Sequence, residues 1–289
     1  MSEIERPRDF DVVIAGGGMV GSALCCALSD IGLRVALIEI REPQRSWPLD
    51  DVDLRVSALT RASQNMLENL RVWDAILSRR ATPYREMHVW DACGRGSIHF
   101  DAASIGEPDL GHIVENRVTQ LALWERMERL DDVTLYAPDE ILDIGSDEGS
   151  FRTIKLKSGI LLRAQLLVAA EGARSPVREM AGIHSSGWSY DQHAIVATVS
   201  PTVHHGEAAR QRFLPEGPLA FLPIEDGRCS IVWSTTPTRA DELMGVSDAA
   251  FCAELTRASD SMLGEVRAVG ARGVFPPVSY THLRAHETT

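Results

Sequence analysis

The chain has 289 residues, 44% of them hydrophobic, and a formal net charge of −12 at pH 7. Length and apolar content suffice for a real core in one large domain or two of ordinary size, which excludes disorder as a description of the whole. The acidic balance, without a Lys/Arg cluster that could track phosphates, argues against a nucleic-acid partner and against simple electrostatic docking on anionic lipid.

The first ten residues, MSEIERPRDF, are charged and run straight into a short apolar stretch that ends in glycines. Neither a signal peptide nor a spanning helix can be drawn there, so any membrane contact is expected to be peripheral. Residues 10–15 (FDVVIA) and 35–40 (VALIEI) are short β-branched runs, and the small residues between them suit a helix packed tightly on a sheet. Together they predict a βαβ unit of the size used for dinucleotide binding. Residues 41–53 are polar and contain Pro43 and Pro48, hence a loop.

Apolar positions recur at helical spacing over residues 60–77 and again over 116–130, predicting two helices that cover the sheet. Between them, residues 87–90 (MHVW) and 97–101 (SIHFD) alternate as strands and predict an excursion into a second sheet. Further strands are predicted at 133–137, 140–144, 151–156, 160–164 and 166–170, with a hairpin turn at Lys157-Ser158-Gly159, and a helix at 176–180. Four strands then follow in close succession, at 195–200, 210–214, 219–224 and 229–235, predicting an antiparallel layer. A helix at 248–258 and a strand at 271–275 complete the readable chain.

Five cysteines, Cys25, Cys26, Cys93, Cys229 and Cys252, are odd in number, form no C-x-x-C pair and lie mostly in apolar runs. They predict reduced core thiols and a cytoplasmic location, peripheral to the inner membrane at most. His204-His205 lacks a Cys or carboxylate at ligand spacing and reads as a solvated loop, so no metal site is predicted.

Gly16-Gly17-Gly18-Met19-Val20-Gly21 supplies G-x-G-x-x-G where the first strand becomes the helix. Gly16 permits the tight turn, Gly18 lets a pyrophosphate approach the backbone, and Gly21 allows close helix–strand packing, with Met19 and Val20 in the first helical turn. Glu39, at the end of the second strand, stands at the distance usual for a carboxylate that accepts both ribose hydroxyls. The pattern alone leaves FAD and NAD open, although a carboxylate there disfavours NADP. Residues 166–170 followed by Glu171-Gly172-Ala173-Arg174-Ser175-Pro176 form a second strand-turn-helix, which on its own reads as a capped helix near a sheet edge.

Taken together, the glycine fingerprint and the Glu171-Gly172 segment resemble flavoprotein monooxygenases of the para-hydroxybenzoate hydroxylase type, which have Asp-Gly where this chain has Glu-Gly. Residues 54–59 (LRVSAL), 76–80 (ILSRR), 111–116 (GHIVEN), 122–124 (ALW) and the AFLP and CSIVWS segments within 219–234 are similar to the ubiquinone-biosynthesis branch, the 2-octaprenylphenol hydroxylase type. The resemblance runs from residue 10 to about residue 277. It implies an α/β fold in which a Rossmann-like FAD-binding domain (residues 1–82 and 112–183) is interleaved with an antiparallel-sheet substrate domain (83–111 and 184–277). It further implies FAD as cofactor, NAD(P)H and O2 as co-substrates, and a polyprenylphenol as the ring hydroxylated.

By the same resemblance, Arg55 and the helix beginning at Asn116 and Arg117 face the FAD, and Glu171 and Gly172 lie against its pyrophosphate. No catalytic acid or base is implied, because the flavin carries the chemistry and the protein positions the ring and excludes water. Phe221, Leu222, Pro223 and Trp233 are expected to wall an apolar pocket. Alternatives are a non-catalytic scaffold within an assembly of ubiquinone-synthesis proteins, encouraged by Glu171, and another FAD-dependent oxidoreductase of the same fold. The W-x-W-x-I-P motif of the flavin-dependent halogenases is not in the sequence.

Residues 278–288 (VSYTHLRAHET) are polar and break the preceding pattern. They resemble the translation of a sequencing-library adapter, which makes 278–289 an expected non-native tail. The family's Gly-Asp motif and C-terminal helices are not in this sequence, so residues 1–277 alone are expected to bind FAD weakly and not to turn over.

Overall fold

The computed structural model describes residues 8–48, 50–146 and 151–282. It opens with the anticipated βαβ unit: β1 (Arg8–Ala15), α1 (Met19–Asp30) and β2 (Val35–Ile38). β1 and β2 pair in parallel, Val12 opposite Val35, and all four residues of β2 are buried. A parallel strand covered on both faces needs such an unbroken apolar run, where a half-exposed strand alternates.

The single helix expected over residues 60–77 is two. After β3 (Val56–Thr60) come α2 (Arg61–Asn69) and α3 (Trp73–Leu77), separated by Arg71 in the left-handed region at φ 59°. The hydroxyl of Thr60 accepts from the Ser63 N–H and starts α2. Leu67, Leu70, Val72, Trp73 and Ile76 are nonetheless buried in one cluster, so the apolar period survives a break that turns the backbone.

Next come β4 (Ala81–Tyr84), β5 (Glu86–Asp91), β6 (Ser97–Asp101), β7 (Gly111–Glu115), α4 (Asn116–Met127), β8 (Val133–Tyr136), β9 (Ile141–Ser146), β10 (Arg152–Leu156) and β11 (Leu161–Ala169). The two strands expected at 160–164 and 166–170 are thus the one strand β11, which pairs in parallel with β1 along its length. A six-stranded sheet results, in the order β8-β2-β1-β11-β10-β9. On one side α1 to α4 bury Cys25, Leu67, Trp73, Leu123 and Trp124 against it, and Phe10, Ile154, Leu156 and Leu162 lie in the cluster that also holds Tyr136 and Val177. Each large side chain so buried contributes on the order of 1.5–3 kcal/mol.

α5 (Pro176–Met180) and β12 (Ser185–Ser189) lead into β13 (His193–Pro201), β14 (Ala208–Leu214), β15 (Gly217–Pro223) and β16 (Cys229–Thr235), then α6 (Pro237–Gly245), α7 (Asp248–Ala258), β17 (Val266–Phe275) and β18 (Val278–His282). A seven-stranded sheet has the order β17-β13-β16-β15-β14-β5-β6, so residues 86–101 do leave the first sheet for the second. Only the β14·β5 contact in it is parallel. α6 and α7 cover one face, where Ile195, Ala197, Leu219, Phe221, Ile231 and Trp233 meet Leu243, Phe251 and Leu255. A three-stranded sheet, β3-β7-β4, joins the halves through Tyr84 and Ile113, which pack with Ala209 and Ile224.

β18 pairs antiparallel with β12, Val278 opposite Ser189. Such pairing runs through main-chain groups and is indifferent to where the side chains came from. Residues 283–289 of the expected tail lie outside the described residues. Among the described residues no helix is long and apolar enough to cross a membrane.

Four cysteines are buried as expected, but Cys93 is exposed in the turn between β5 and β6. Burial pushes the Cys26 thiol up to about 11 and that of Cys229 to about 12, so both stay protonated. His205 is buried rather than solvated, its Nε2 lying 2.9 Å from the Ile224 carbonyl.

His112 on β7 is buried edge-on against Trp73, with ring centroids 5.1 Å apart. Burial lowers its pKa, the Asp109 carboxylate partly opposing this and Arg61 and Arg85 reinforcing it. Below about pH 6.5 the unfolded chain therefore takes up a proton that the folded chain refuses. Stability is full above that pH and falls as pH drops toward the lowered folded value. Chemical denaturation at about pH 7.5 and about pH 5.5 is expected to show a lower midpoint in acid, and His112→Phe a smaller drop. An equal drop in the variant would assign the slope to other groups.

Candidate cofactor-binding site

The glycine loop between β1 and α1 is shaped by contacts of three different kinds. Gly16 has φ 103°, and a Cβ there would lie 2.6 Å from the Ala170 carbonyl oxygen at the end of β11. A Cβ on Gly21 would come within 2.0 Å of the Gly16 carbonyl oxygen, so α1 closes on the loop only because Gly21 has no side chain. Around Gly18, in contrast, a Cβ would meet nothing within 4 Å.

Gly18 is the N-cap of α1, a helix with no side-chain cap and no acidic residue in its first turn. Twelve residues of aligned peptide dipoles thus end in N–H groups facing open space, which is the chemistry of an anion site. Met19 is half-buried at the start of α1, and Val20 beside it is exposed to 74%.

Glu39 follows β2 directly. Its carboxylate accepts from the Gly17 N–H at 2.6 Å and from the Arg41 N–H at 3.0 Å, which leaves lone pairs on both oxygens for further donors. The Gly17 carbonyl is held by the Trp124 indole N–H (2.8 Å), the Gln120 amide (2.8 Å) and the Ser22 hydroxyl (3.1 Å). Helix α4 therefore clamps the loop from behind. Sequence reasoning missed Gln120 and Ser22, and gave Trp124 as an apolar helix position and as part of the resembling 122–124 segment, without this hydrogen bond. The one available signal was that a buried indole N–H requires an acceptor.

Gly16, Glu39 and Glu171 line one cleft of about 450 Å³, together with Ile38, Ile40, Glu140 and Arg174. Within it the Glu171 carboxylate is turned toward α5, accepting from the Ser175 hydroxyl at 2.5 Å and the Val177 N–H at 3.2 Å. Ser175 in turn accepts from the Arg178 N–H, as the capped-helix reading anticipated. The longer side chain thus has a local partner of its own. Gly172 has φ 83°, with open space where a Cβ would be.

Arg55, Asn116 and Arg117 gather at a second place. Main chain joins Arg55 and Asn116 (Asn116 N–H to the Arg55 carbonyl, 2.9 Å), the Ser57 hydroxyl donates to the Asn116 amide oxygen at 2.7 Å, and the Arg55 guanidinium lies over Phe275. Arg117 pairs with Asp51 (2.7 Å) and Glu115 (2.7 Å) and lies 4.4 Å from the centre of the Trp47 ring. Arg117 also lines a second cleft of about 450 Å³, between residues 50–54 and the exposed face of β13 and β17, with Thr198, Ser200, Arg228, Val269 and Ala271.

The expected apolar wall is corrected by strand parity. Phe221 and Trp233 point into the core beneath α6 and α7, and Pro223, on the same face as Phe221, is buried as well. Leu222, one residue out of phase, packs instead with Tyr84 and Ile113. Because side chains alternate along a strand, the opposite face carries Ala220 and Leu222 of β15 and Thr198 and Ser200 of β13, the last two turned toward the 50–54 loop and Arg117.

A β-glycine loop-α unit with an open helix N-terminus and a carboxylate after the second strand defines a dinucleotide-binding protein. The chain belongs to the FAD-binding domain family, whose model matches residues 9–272, and within it to the ubiquinone-biosynthesis hydroxylases. It is 38% identical over 266 residues to 3-demethoxyubiquinol 3-hydroxylase of Escherichia coli, covering 92% of this chain and 67% of that protein. It is 38% identical over 263 residues to the mitochondrial ubiquinone biosynthesis monooxygenase COQ6 of Xenopus tropicalis, covering 85% of this chain and 55% of the relative. The chain thus spans about two thirds of the bacterial relative and little more than half of the vertebrate one. The solved p-nitrophenol 4-monooxygenase PnpA of Pseudomonas putida shares the fold, with a TM-score of 0.73 at 18% identity over 96% of this chain and 70% of that one. The fold is para-hydroxybenzoate hydroxylase-like, as the resemblance implied.

Proposed function

We propose that the chain carries the cofactor cradle and substrate layer of an FAD-dependent monooxygenase that uses NAD(P)H and O2 to hydroxylate the ring of a polyprenylphenol. The observation that carries this is the open N-terminus of α1 beside Glu39, in a chain 38% identical to a ring hydroxylase across both sheets. In this reading residues 1–82 and 112–183 hold the cofactor, residues 83–111 and 184–277 present the substrate, and 278–289 is a non-native tail.

Gly16, Gly18, Met19, Val20 and Gly21 deliver the α1 N–H groups to a pyrophosphate, and Glu39 accepts the ribose hydroxyls while keeping Gly17 in place. Glu171 acts through α5, so Gly172 is the part of that segment left to approach the phosphates by its backbone. Arg55, Asn116 and Arg117 face the FAD in this reading, and Arg117 also borders the second cleft, into which we place the phenol ring. Bound FAD would supply electron transfer and oxygen activation. The protein's share is to hold the ring there and to keep water out, and Leu54, Val269 and Ala271 give the cleft apolar surface for that.

Flavin fluorescence during titration of the chain with FAD tests the cradle. Removing a charge-assisted hydrogen bond costs about 1.5–3 kcal/mol, so Glu39→Ala is expected to weaken FAD binding by roughly 10- to 150-fold. Unchanged affinity would remove Glu39 from the site. The hydroxylase reading is tested by joining residues 1–277 to the C-terminal remainder of the E. coli relative and supplying NADPH or NADH, O2 and a prenylphenol. A product one oxygen atom heavier is expected, whereas NAD(P)H consumption indifferent to the phenol would count against it.

A further inference from the structure

On the hairpin of β5 and β6, at the edge of the seven-stranded sheet, Glu86, His88 and His99 converge. β5 and β6 are antiparallel with His88 directly opposite His99, and Glu86, two residues before His88, projects from the same face. The two imidazoles are stacked, with centroids 4.1 Å apart and planes 18° from parallel. Both Nε2 atoms address one oxygen, Glu86 Oε2, at 2.8 Å from His88 and 3.0 Å from His99. One donor atom from each residue lies within 4.8 Å of the other two.

We propose that this triad is a binding site for a borderline divalent transition-metal cation of the Zn2+ class. Two imidazole nitrogens and a carboxylate oxygen are the donor set such ions prefer, and three protein ligands leave a position for water. Ligand bonds of about 2.0–2.2 Å in a tetrahedral site separate neighbouring donors by about 3.3 Å. The two Nε2–Oε2 distances reach that value when the side chains shift by a few tenths of an ångström. In the metal-free protein the same geometry is satisfied by two ring N–H groups donating to one carboxylate oxygen; on binding, the cation takes the Nε2 lone pairs of the neutral rings, whose protons then sit on Nδ1.

Nearby charges are engaged elsewhere. Arg210, in register with His88 on β14, donates to the carbonyls of His205 (2.7 Å) and Ala208 (3.0 Å). Arg85 is taken by Glu207 and the Pro108 carbonyl, and Asp101 accepts the Ala103 N–H at 2.9 Å. Cross-strand register carries the face of His88 through Arg210 to Phe221 and Ile231, in the core beneath α6 and α7. The triad therefore lies on the opposite face from Thr198 and Ser200 of the second cleft. A cation there would tie edge strand β6 to β5 independently of any flavin chemistry.

The test is calorimetric titration of the chelator-treated 289-residue chain with Zn2+, supported by the visible absorption of Co2+. One equivalent is expected to bind, with affinity reduced more than tenfold in Glu86→Gln, His88→Ala and His99→Ala but unchanged in His204→Ala. Zn2+ is expected to raise the melting temperature of the wild type and not of the three variants. Equal metal-free melting temperatures and circular dichroism, checked also in His99→Gln, separate loss of ligands from loss of fold. Wild-type binding no tighter than that of a chain carrying both His88→Ala and His99→Ala would overturn the proposal.

Discussion

Glu115→Ala is expected to lower the free energy of unfolding by about 3–5 kcal/mol, measured by chemical denaturation. The Glu115 side chain is 3% exposed at the junction of β7 and α4, paired with Arg80 Nε at 2.6 Å and Arg117 Nη2 at 2.7 Å. It also accepts the Asp53 N–H at 2.7 Å, so one carboxylate fixes the end of α3, the 50–55 loop and the start of α4. Its removal takes from two guanidiniums, 12% and 13% exposed, the buried carboxylate they share, and leaves them the more exposed Asp51, whose carboxylate pairs with Arg117 and whose carbonyl accepts from Arg80. Arg117→Ala should cost much less, because Glu115 keeps Arg80 while the lost partner Asp51 is half in solvent. Equal effects from the two substitutions would mean that the cluster is not organised around Glu115.

Gly21→Ala and Gly18→Ala are expected to separate folding from cofactor affinity. At Gly21 the added methyl meets the Gly16 carbonyl oxygen at 2.0 Å and the Ala170 Cβ at 3.2 Å, and the first of these is backbone that cannot swing aside. Helix α1 must then lift from β1, at a cost of about 1–3 kcal/mol by the usual scale of overpacking, and flavin binding is lost with the loop. At Gly18 the backbone, φ −69° and ψ −178°, is open to any residue and the space around it is empty. Only the capping preference of glycine over alanine is forfeited there, at most about 1 kcal/mol. The methyl would nevertheless stand where a pyrophosphate approaches. Denaturation midpoints and FAD titrations of both variants check this, and a Gly18→Ala chain with undiminished FAD affinity would place the phosphates elsewhere.

The βαβ unit was legible because its determinants are local. An unbroken apolar run, glycines at fixed offsets and Glu39 after the next run specify strand, loop and helix within about thirty residues, and the close approaches at Gly16 and Gly21 follow from that geometry. The excursion of residues 86–101 into a second sheet was visible in their alternation, although its parallel pairing with β14, more than a hundred residues on, was not. The resemblance placed the chain among FAD-binding ring hydroxylases through segments spread over both sheets, which the glycine pattern alone could not do.

Tertiary structure decided what depends on contacts distant in sequence. Period-2 alternation on β15 and β16 sorts residues into two faces without saying which face meets α6 and α7, and Phe221 and Trp233 fell to the core side by that parity. Apolar period 3.6 runs on through residues 60–77 although Arg71 breaks the helix, because both pieces bury the same stripe. The three donors on the Gly17 carbonyl, the Glu115 ion cluster and the meeting of Glu86, His88 and His99 each join side chains from separate elements. Their chemistry is written in the residue types, but a hydrogen bond or a ligand set exists only when folding brings the donors within about 3 Å, and no local pattern encodes that distance.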